Sequence, residues 1–363
     1  MTSGFGNRDV RSTERSLFAV LAGDGRPLLS LVAVGLVASG AFAFFLSAAG
    51  ELLPHDVAYL GMSAAYLRVF DEGRVLHFMF HDRVAFGGTL VAVGVLYLWL
   101  ISGPLAAGER WAWWLLAGSG AFGFASFLAY VGYGYLDSWH ALATVALLVP
   151  FLGGLWRTRM MRHPAERTTT DARIVWPLRP ASAAGVGRLL LLLTGGGMVV
   201  AGVTIVTIGT VVVFVPQDLA FIGLDRGQLD ALNVHLVPLI AHDRAGFGGA
   251  LATTGMVVVG TAWFASPSRS LWQALLIAGS AGFGAALGIH ALVGYTDLSH
   301  VGPAILGAAL FGVAMALYPR RSSRVGPTVE PSATVATSPL SRGSAIDRPL
   351  PSGAATETSS RVS

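Results

Sequence analysis

The chain has 363 residues, of which 53% are hydrophobic and only 12% are charged, about half the charged share of an average soluble domain. This composition excludes an ordinary soluble domain, and the absence of cysteine excludes disulfides, thiol catalysis and thiolate metal sites. The net charge of +4 does not indicate a nucleic-acid partner, because all 24 basic residues are arginines that flank apolar runs, where membrane topology explains them. The composition therefore predicts a multi-pass protein whose partner is the lipid bilayer.

Eight apolar runs approach or exceed the roughly 20 residues that a helix needs to cross a bilayer. We therefore predict an all-α integral membrane fold with eight transmembrane helices. Two of the runs contain Gly87-Gly88 and Gly248-Gly249, which predict close helix contacts because small residues let helices approach each other in lipid. In chain order, the predicted spans are 27–50, 84–108, 111–136, 137–156, 189–216, 245–268, 270–296 and 301–319.

The two halves of the chain repeat the same motifs at an offset of about 160 residues. His81-Asp82-Arg83 precedes the second predicted span and returns as His242-Asp243-Arg244 before the sixth, and the 14-residue segments that begin at these histidines agree at 8 positions. Because four spans per unit is an even number, the sequence predicts two tandem repeats in parallel orientation, related by a pseudo-twofold axis along the membrane normal. The other matched positions are Asp56 with Asp218, Asp137 with Asp297, and His140 with His300.

The distribution of arginines predicts the orientation in the cell membrane. Four arginines lie in residues 1–26 and seven in 157–188, whereas the loops on the opposite side hold five in all. Because cytoplasmic loops are rich in arginine and lysine, both termini are predicted to be cytoplasmic and every repeated polar motif extracytoplasmic. The predicted organisation is a cytoplasmic N-terminal segment (1–26), four-span repeat 1 (27–157), an Arg-rich cytoplasmic linker (158–188), four-span repeat 2 (189–319) and a disordered cytoplasmic tail (320–363).

Charged residues near a membrane are costly unless they have partners, so the repeated motifs are the candidate ligand-binding site or polar network. We expect Arg83 and Arg244 to pair with Asp137 and Asp297 of their own repeats, with Asp56 as an alternative partner of Arg83. Asp137 and Asp297 are also candidate N-caps of the helices that follow them. The predicted network comprises Asp56, His81, Asp82, Arg83, Asp137, His140, Asp218, His242, Asp243, Arg244, Asp297 and His300.

Histidines of the same layer are candidate metal ligands. His77 and His81 lie four residues apart, on one face of a helix, which suits zinc or iron. His290 lies inside a predicted span, and we expect it to be a buried neutral histidine bonded to a backbone carbonyl or a serine. The sequence does not reveal facing histidines on neighbouring spans, which haem ligation would need. The candidate ligands are His77, His81, His140, His242 and His300, and the alternative is that their motifs only fasten helices.

The segments 54–62 and 77–88 resemble a group of uncharacterised bacterial polytopic membrane proteins, and the likeness covers most of residues 28–320. The resemblance implies a membrane location and no agreed activity. The leading hypothesis is transport or small-ligand binding at an extracytoplasmic polar site between the repeats, because parallel repeats are common among carriers. The alternatives are a membrane-embedded metal- or haem-dependent enzyme or redox protein, and a structural or assembly protein. The sequence itself assigns no cofactor, substrate or catalytic residue.

Overall fold

The computed structural model describes residues 23–128, 135, 138–159 and 182–319. These residues form helices joined by short connections, and no strand occurs among them. The predicted tail, almost all of the N-terminal segment and most of the linker lie outside the described residues. In chain order the helices are α1 (Arg26–Ala49), α2 (Pro54–Leu60), α3 (Ala64–Val69), α4 (Arg74–Leu100), α5 (Arg110–Leu128), α6 (Ser138–Arg159), α7 (Ala183–Val211), α8 (Pro216–Ile222), α9 (Arg226–Leu232), α10 (Leu236–Phe264), α11 (Arg269–Val293) and α12 (Leu298–Leu317).

Seven of the described helices are long and apolar enough to cross a membrane: α1, α4, α6, α7, α10, α11 and α12. Large apolar side chains point outward from these helices, as at Phe45, which is 67% exposed, and Leu142, which is 60% exposed. Such a surface fits contact with lipid and not with water. The described part of the chain is therefore all-helical, and its seven long apolar helices are compatible with a multi-pass membrane protein. The third predicted span corresponds to α5, which is not among the seven, and residues 129–134 beyond it are outside the described part.

The two helices that carry the His-Asp-Arg motifs, α4 and α10, pack against each other. Each also packs along the first long helix of its own half, α1 for α4 and α7 for α10. In addition, each packs against a helix from the other half, because α11 lies on α4 and α5 lies on α10. Each half therefore contributes one helix, α5 or α11, that packs against the motif-bearing helix of the other half, and we call this arrangement an exchange of helices.

Glycines let these long helices approach each other at backbone distance. A Cβ atom on Gly87 would lie 2.9 Å from the carbonyl oxygen of Gly40 in α1. A Cβ atom on Gly248 would lie 2.7 Å from the carbonyl oxygen of Gly202 in α7. Real Cβ atoms do not approach an oxygen so closely, so only glycine fits at these crossings. The close helix contacts predicted at both glycine pairs are confirmed at these two members.

Both motif-bearing helices begin earlier than the sequence predicts. The helix α4 begins at Arg74, ten residues before the predicted start at 84, and α10 begins at Leu236, nine residues before 245. The prediction is wrong because it lets each span begin only after the charged residues of the motif. In the structure these charged side chains are paired and packed between helices, so the helix continues through them. His81 lies seven residues into α4, roughly 10 Å along the helix axis. The motifs therefore lie inside the two long helices and not at their N-terminal ends.

The polar segment before each motif-bearing helix folds into two short helices. Of these, α2 begins at Pro54 and α8 begins at Pro216, in the first helical turn where proline is favoured. The same first turns carry Asp56 and Asp218, whose side chains are fully buried at 0% exposure. Each half therefore brings one buried carboxylate to the arginine of its own motif.

Candidate functional site

Arg83 of α4 binds one carboxylate from each half of the chain. Its Nη1 atom lies 2.7 Å from Oδ2 of Asp56, which belongs to the same half. Its Nε atom donates a hydrogen bond of 2.9 Å to Oδ2 of Asp243 in α10. The hydroxyl of Tyr135 donates to the other oxygen of Asp56 at 2.7 Å, and burial together with this carboxylate raises the pKa of the phenol. The alternative prediction, that Arg83 pairs with Asp56, is confirmed, whereas the leading predicted partner, Asp137, lies outside the described residues.

Arg244 of α10 also binds one carboxylate from each half of the chain, Asp218 from its own half and Asp82 from the first half. Its Nη1 atom donates to Oδ2 of Asp218 at 2.6 Å, and its Nε atom donates to Oδ2 of Asp82 in α4 at 3.2 Å. The hydroxyl of Tyr295 donates to Oδ1 of Asp218 at 2.8 Å, and burial followed by the charge of that carboxylate raises the pKa of Tyr295. The backbone carbonyl of Val213 accepts a further bond of 2.6 Å from Nη1. Each arginine thus ties the two halves together.

These six residues form what we call the ion-pair layer. It contains four carboxylates and two guanidinium groups, so its formal charge is 2 − 4 = −2 when all six are ionised. Excess charge in a low-dielectric interior is costly, and the layer therefore favours a cation close by. The ion-pair layer consists of Asp56, Asp82, Arg83, Asp218, Asp243 and Arg244.

The predicted pairing of Arg244 with Asp297 is wrong. Oδ1 of Asp297 accepts the backbone N–H groups of Ser299 and His300 at 3.0 and 3.1 Å, so this carboxylate caps α12. The hydrogen bond from the Ser299 hydroxyl holds the pKa of Asp297 below its usual value. Because Arg244 lies inside α10, it reaches the acids of α8 and α4 and not the cap of α12. The alternative prediction of an N-cap is confirmed for Asp297, whereas Asp137 lies outside the described residues.

Three histidines from three helices meet beside the ion-pair layer. His81 in α4, His290 in α11 and His300 in α12 each offer one ligand nitrogen, and these nitrogens lie within 4.8 Å of one another. The Nε2 atoms of His81 and His290 are 3.0 Å apart. The first two side chains are buried, and His300 is partly buried. The structure thus places facing histidines on neighbouring helices, which the sequence does not reveal, and we refer to these residues as the three-histidine cluster.

Two rings of the cluster, those of His81 and His290, are oriented by hydrogen bonds from their Nδ1 atoms to groups outside the cluster. Nδ1 of His81 lies 3.1 Å from Oδ1 of Asp82, and Nδ1 of His290 lies 2.6 Å from the carbonyl oxygen of Ala286. A carbonyl and an ionised carboxylate can only accept, so both Nδ1 atoms carry hydrogen and donate. This outward bonding is how proteins orient metal-binding imidazoles. The hydrogen bond of His290 to a backbone carbonyl, which the sequence predicts, is confirmed.

The remaining predicted site residues have other surroundings. His242, the counterpart of His81, lies among aromatic rings, with its ring centroid 5.1 Å from that of Tyr135. His77 lies one helical turn before His81 and does not belong to the described cluster. Asp137 and the side chain of His140 are outside the described part of the chain. The structure thus brings together two of the predicted metal ligands, His81 of α4 and His300 of α12.

Sequence reasoning missed the place of His290 in the three-histidine cluster and the tyrosines that bind the buried carboxylates. A depth argument points to the histidine, because His290 lies seven residues before Asp297 and His81 lies seven residues after Arg74. His81 lies roughly 10 Å from the start of α4 and His290 lies roughly 4.5 Å from the end of α11, and these two helix ends are neighbours, so the rings can meet. The tyrosines have a signal of their own, since Gly-Tyr occurs in both repeated motifs that precede α6 and α12.

Comparison of the chain with protein-family models, with curated proteins and with solved structures found no match. The functional assignment therefore depends on the residues and distances of the polar layer. Its distinguishing features are a carboxylate-rich ion-pair layer that joins the two halves and a set of three imidazoles beside it, two of them buried and one partly buried.

Proposed function

We propose that the protein binds a transition-metal ion through His81, His290 and His300. The observation that carries this proposal is the approach of three imidazole nitrogens to within 4.8 Å inside apolar helices. Lone pairs aimed at one another repel unless a proton or a metal cation lies between them. Two of the three rings are already oriented by outward hydrogen bonds, which reduces the reorganisation that metal binding requires.

The distances favour a single ion over haem. In a tetrahedral zinc site with Zn–N bonds of 2.0–2.1 Å, the ligand nitrogens are roughly 3.3 Å apart. Two axial nitrogens on opposite sides of a haem iron are roughly 4 Å apart at the same bond length, with the macrocycle between them. The separation of 3.0 Å between His81 and His290 fits the first geometry better. Imidazole ligands suit zinc, copper, iron and nickel, so the expected ligand is a divalent ion of this group.

The charge of the ion-pair layer supports the same proposal. Asp82 belongs to the layer and also contacts His81, so the layer and the three-histidine cluster share one carboxylate. A divalent cation held by three neutral imidazoles would offset the layer's formal charge of −2, which counts four carboxylates against two guanidinium groups. Burial makes this compensation matter more than it would at a solvated surface.

We also propose that the halves are two tandem four-span repeats in parallel orientation in the cell membrane. Reciprocal ion pairs and the exchange of α5 and α11 between the halves support the repeat arrangement. The arginine-rich segments support cytoplasmic termini and an extracytoplasmic site. The resemblance to uncharacterised bacterial membrane proteins stays a prediction and adds no activity.

The first test measures metal binding by the purified protein in detergent. The protein is stripped with a chelator, titrated with Zn²⁺ or Co²⁺, and analysed for bound metal. We expect one tightly bound ion per chain and its loss in His290→Ala. His235→Ala is a matched control, because His235 does not belong to the three-histidine cluster and its ring instead contacts that of Tyr59, with centroids 4.4 Å apart. Absence of tight binding by the wild-type protein, or unchanged binding by His290→Ala, would contradict the proposal.

Transport of the bound ion is the second candidate function. The cluster draws His81 from the first half of the chain and its other two members from the second half. Separation of the halves would therefore divide the ligand set and release the ion, as expected for a carrier with its site at the junction of two repeats. A metalloenzyme is the competing case, because three protein ligands leave a coordination position for water or substrate.

Proteoliposomes with a metal-sensitive dye inside separate these two cases. Uptake of Zn²⁺ or Co²⁺ by wild-type vesicles, and its loss in His290→Ala vesicles, would support transport. Tight binding without uptake would favour a resident metal with a catalytic or structural role.

A further inference from the structure

Arg244 contacts two carboxylates, and each of these contacts a different member of the three-histidine cluster. Oδ2 of Asp82 accepts from Arg244 at 3.2 Å, while its Oδ1 lies 3.1 Å from Nδ1 of His81. Oδ2 of Asp218 accepts from Arg244 at 2.6 Å, while its Oδ1 lies 3.9 Å from Nδ1 of His300. One guanidinium therefore holds both carboxylates that face the Nδ1 atoms of these two rings.

A second route connects Asp218 with the same ring. The hydroxyl of Tyr295 donates to Asp218 at 2.8 Å, and the tyrosine ring stacks on His300 with centroids 4.2 Å apart and planes 21° apart. The position of the carboxylate thus fixes the tyrosine, and the tyrosine fixes the plane of the imidazole. Arg244 itself is fixed by the carbonyl of Val213 and by the ring of Phe78, whose centroid lies 4.8 Å from the guanidinium carbon.

We infer that Arg244 is a positioning residue for the metal site, acting on His81 through Asp82 and on His300 through Asp218. The inference rests on the proposed function, because it concerns the orientation of the metal ligands. Partners that orient a metal-binding histidine change metal affinity by about 10–100-fold when they are removed. A planar guanidinium binds two carboxylates in fixed directions, which a lysine ammonium cannot reproduce although it keeps the charge.

Arg83 occupies the matching place in the first motif but has no such connection. Its carboxylate partners are Asp56 and Asp243, and neither has a described contact with a member of the three-histidine cluster. The repeated motif is therefore used in two ways. In the second half its arginine orients the metal ligands, and in the first half it only joins the two halves. Because both arginines pair with two carboxylates and expose little side-chain surface, 12% for Arg83 and 6% for Arg244, Arg83 offers a matched comparison.

The test compares Arg244→Lys with Arg83→Lys in the full-length protein purified in detergent. Affinity for Co²⁺ and Zn²⁺ is measured by competition with a chelating indicator. The visible absorption spectrum of bound Co²⁺ reports the geometry of the ligands, which a loss of stability alone would not change. We expect Arg244→Lys to bind Co²⁺ about 10–100-fold more weakly with an altered spectrum. Arg83→Lys keeps the formal charge of the ion-pair layer and should change the affinity and the spectrum much less than Arg244→Lys does.

Tyr295→Phe provides a second variant should Arg244→Lys not fold. It keeps the ring that stacks on His300 and removes only the hydroxyl that binds Asp218, so we expect weaker Co²⁺ binding with a shifted spectrum.

The outcomes distinguish this inference from the proposed function. A wild-type protein that binds neither ion overturns both. A wild-type protein that binds Co²⁺, together with Arg244→Lys and Arg83→Lys variants that behave alike, overturns the positioning role and leaves the metal site standing. Unchanged Co²⁺ binding and spectrum in Tyr295→Phe would exclude the route through the tyrosine.

Discussion

The ion-pair layer should respond very differently to the loss of an arginine and the loss of an aspartate. Arg83 bridges Asp56 and Asp243, so Arg83→Gln leaves two buried carboxylates without a guanidinium and changes the formal charge of the layer from −2 to −3. Asp243→Asn leaves Arg83 bound to Asp56 and changes that charge from −2 to −1. The two substitutions break the same contact but move the total charge in opposite directions.

The expected magnitudes follow from this difference. Removal of one partner from a buried ion pair costs about 3–5 kcal/mol when the other charge is left uncompensated, and Arg83→Gln should lie in that range. Asp243→Asn removes one hydrogen bond to a charged group, which is worth about 1.5–3 kcal/mol, and part of that loss is offset by the smaller excess of negative charge. The double variant should cost less than the sum, with a coupling of about 0.5–3 kcal/mol.

The free energy of unfolding can be measured by SDS titration of the protein in mixed micelles, with a chelator present so that bound metal does not supply the missing charge. The order of the two single variants is the decisive result. Asp243→Asn that is as destabilising as Arg83→Gln would refute the argument from excess carboxylates. Losses that add fully in the double variant would show that Arg83 and Asp243 are not energetic partners.

Three further predictions follow from the site, the topology and the packing. Binding of Zn²⁺ to the three-histidine cluster should release about one proton, because a hydrogen between two Nε2 atoms must leave, and calorimetry in buffers of different ionisation enthalpy should detect this release. In the cysteine-free chain, cysteine at Asp71 or Asp225 should react with a membrane-impermeant reagent in intact cells, whereas cysteine at Thr169 should not, and the opposite labelling would reverse the topology. Gly248→Ala should destabilise the protein by about 1–3 kcal/mol through crowding of α7, whereas Gly197→Ala, with open space around it, should have little effect on SDS unfolding.

The helices could be predicted from sequence because apolar length is a direct consequence of bilayer thickness. The boundaries at the motifs could not, since hydropathy treats Arg83 and Arg244 as unpaired charges. Their cost inside a span depends on partners that come from other helices. The depth of the motifs is therefore a property of tertiary packing, and the local sequence does not contain it.

Only part of the candidate site could be predicted from the sequence. Matching of the two halves favours residues that are shared, and it selected His81 and His300 in this way. His290 has no histidine counterpart in the first half, where Tyr130 stands at the matching position. A search for common features therefore passes over the residue that makes the two halves chemically different. Pairing across the halves was missed for a related reason, because motif repetition suggested partners within each repeat.

The exchange of α5 and α11 between the halves has a consequence for biogenesis. When the ribosome has delivered only the first half, α4 stands in the membrane with His81 and Asp82 facing a place that α11 and Arg244 will fill later. Intramembrane charges without partners are costly, so this early intermediate should depend on the insertion machinery or on chaperones until the second half arrives. Translation that stops within the linker should then leave a product marked for proteolysis, and a separately expressed second half should rescue it.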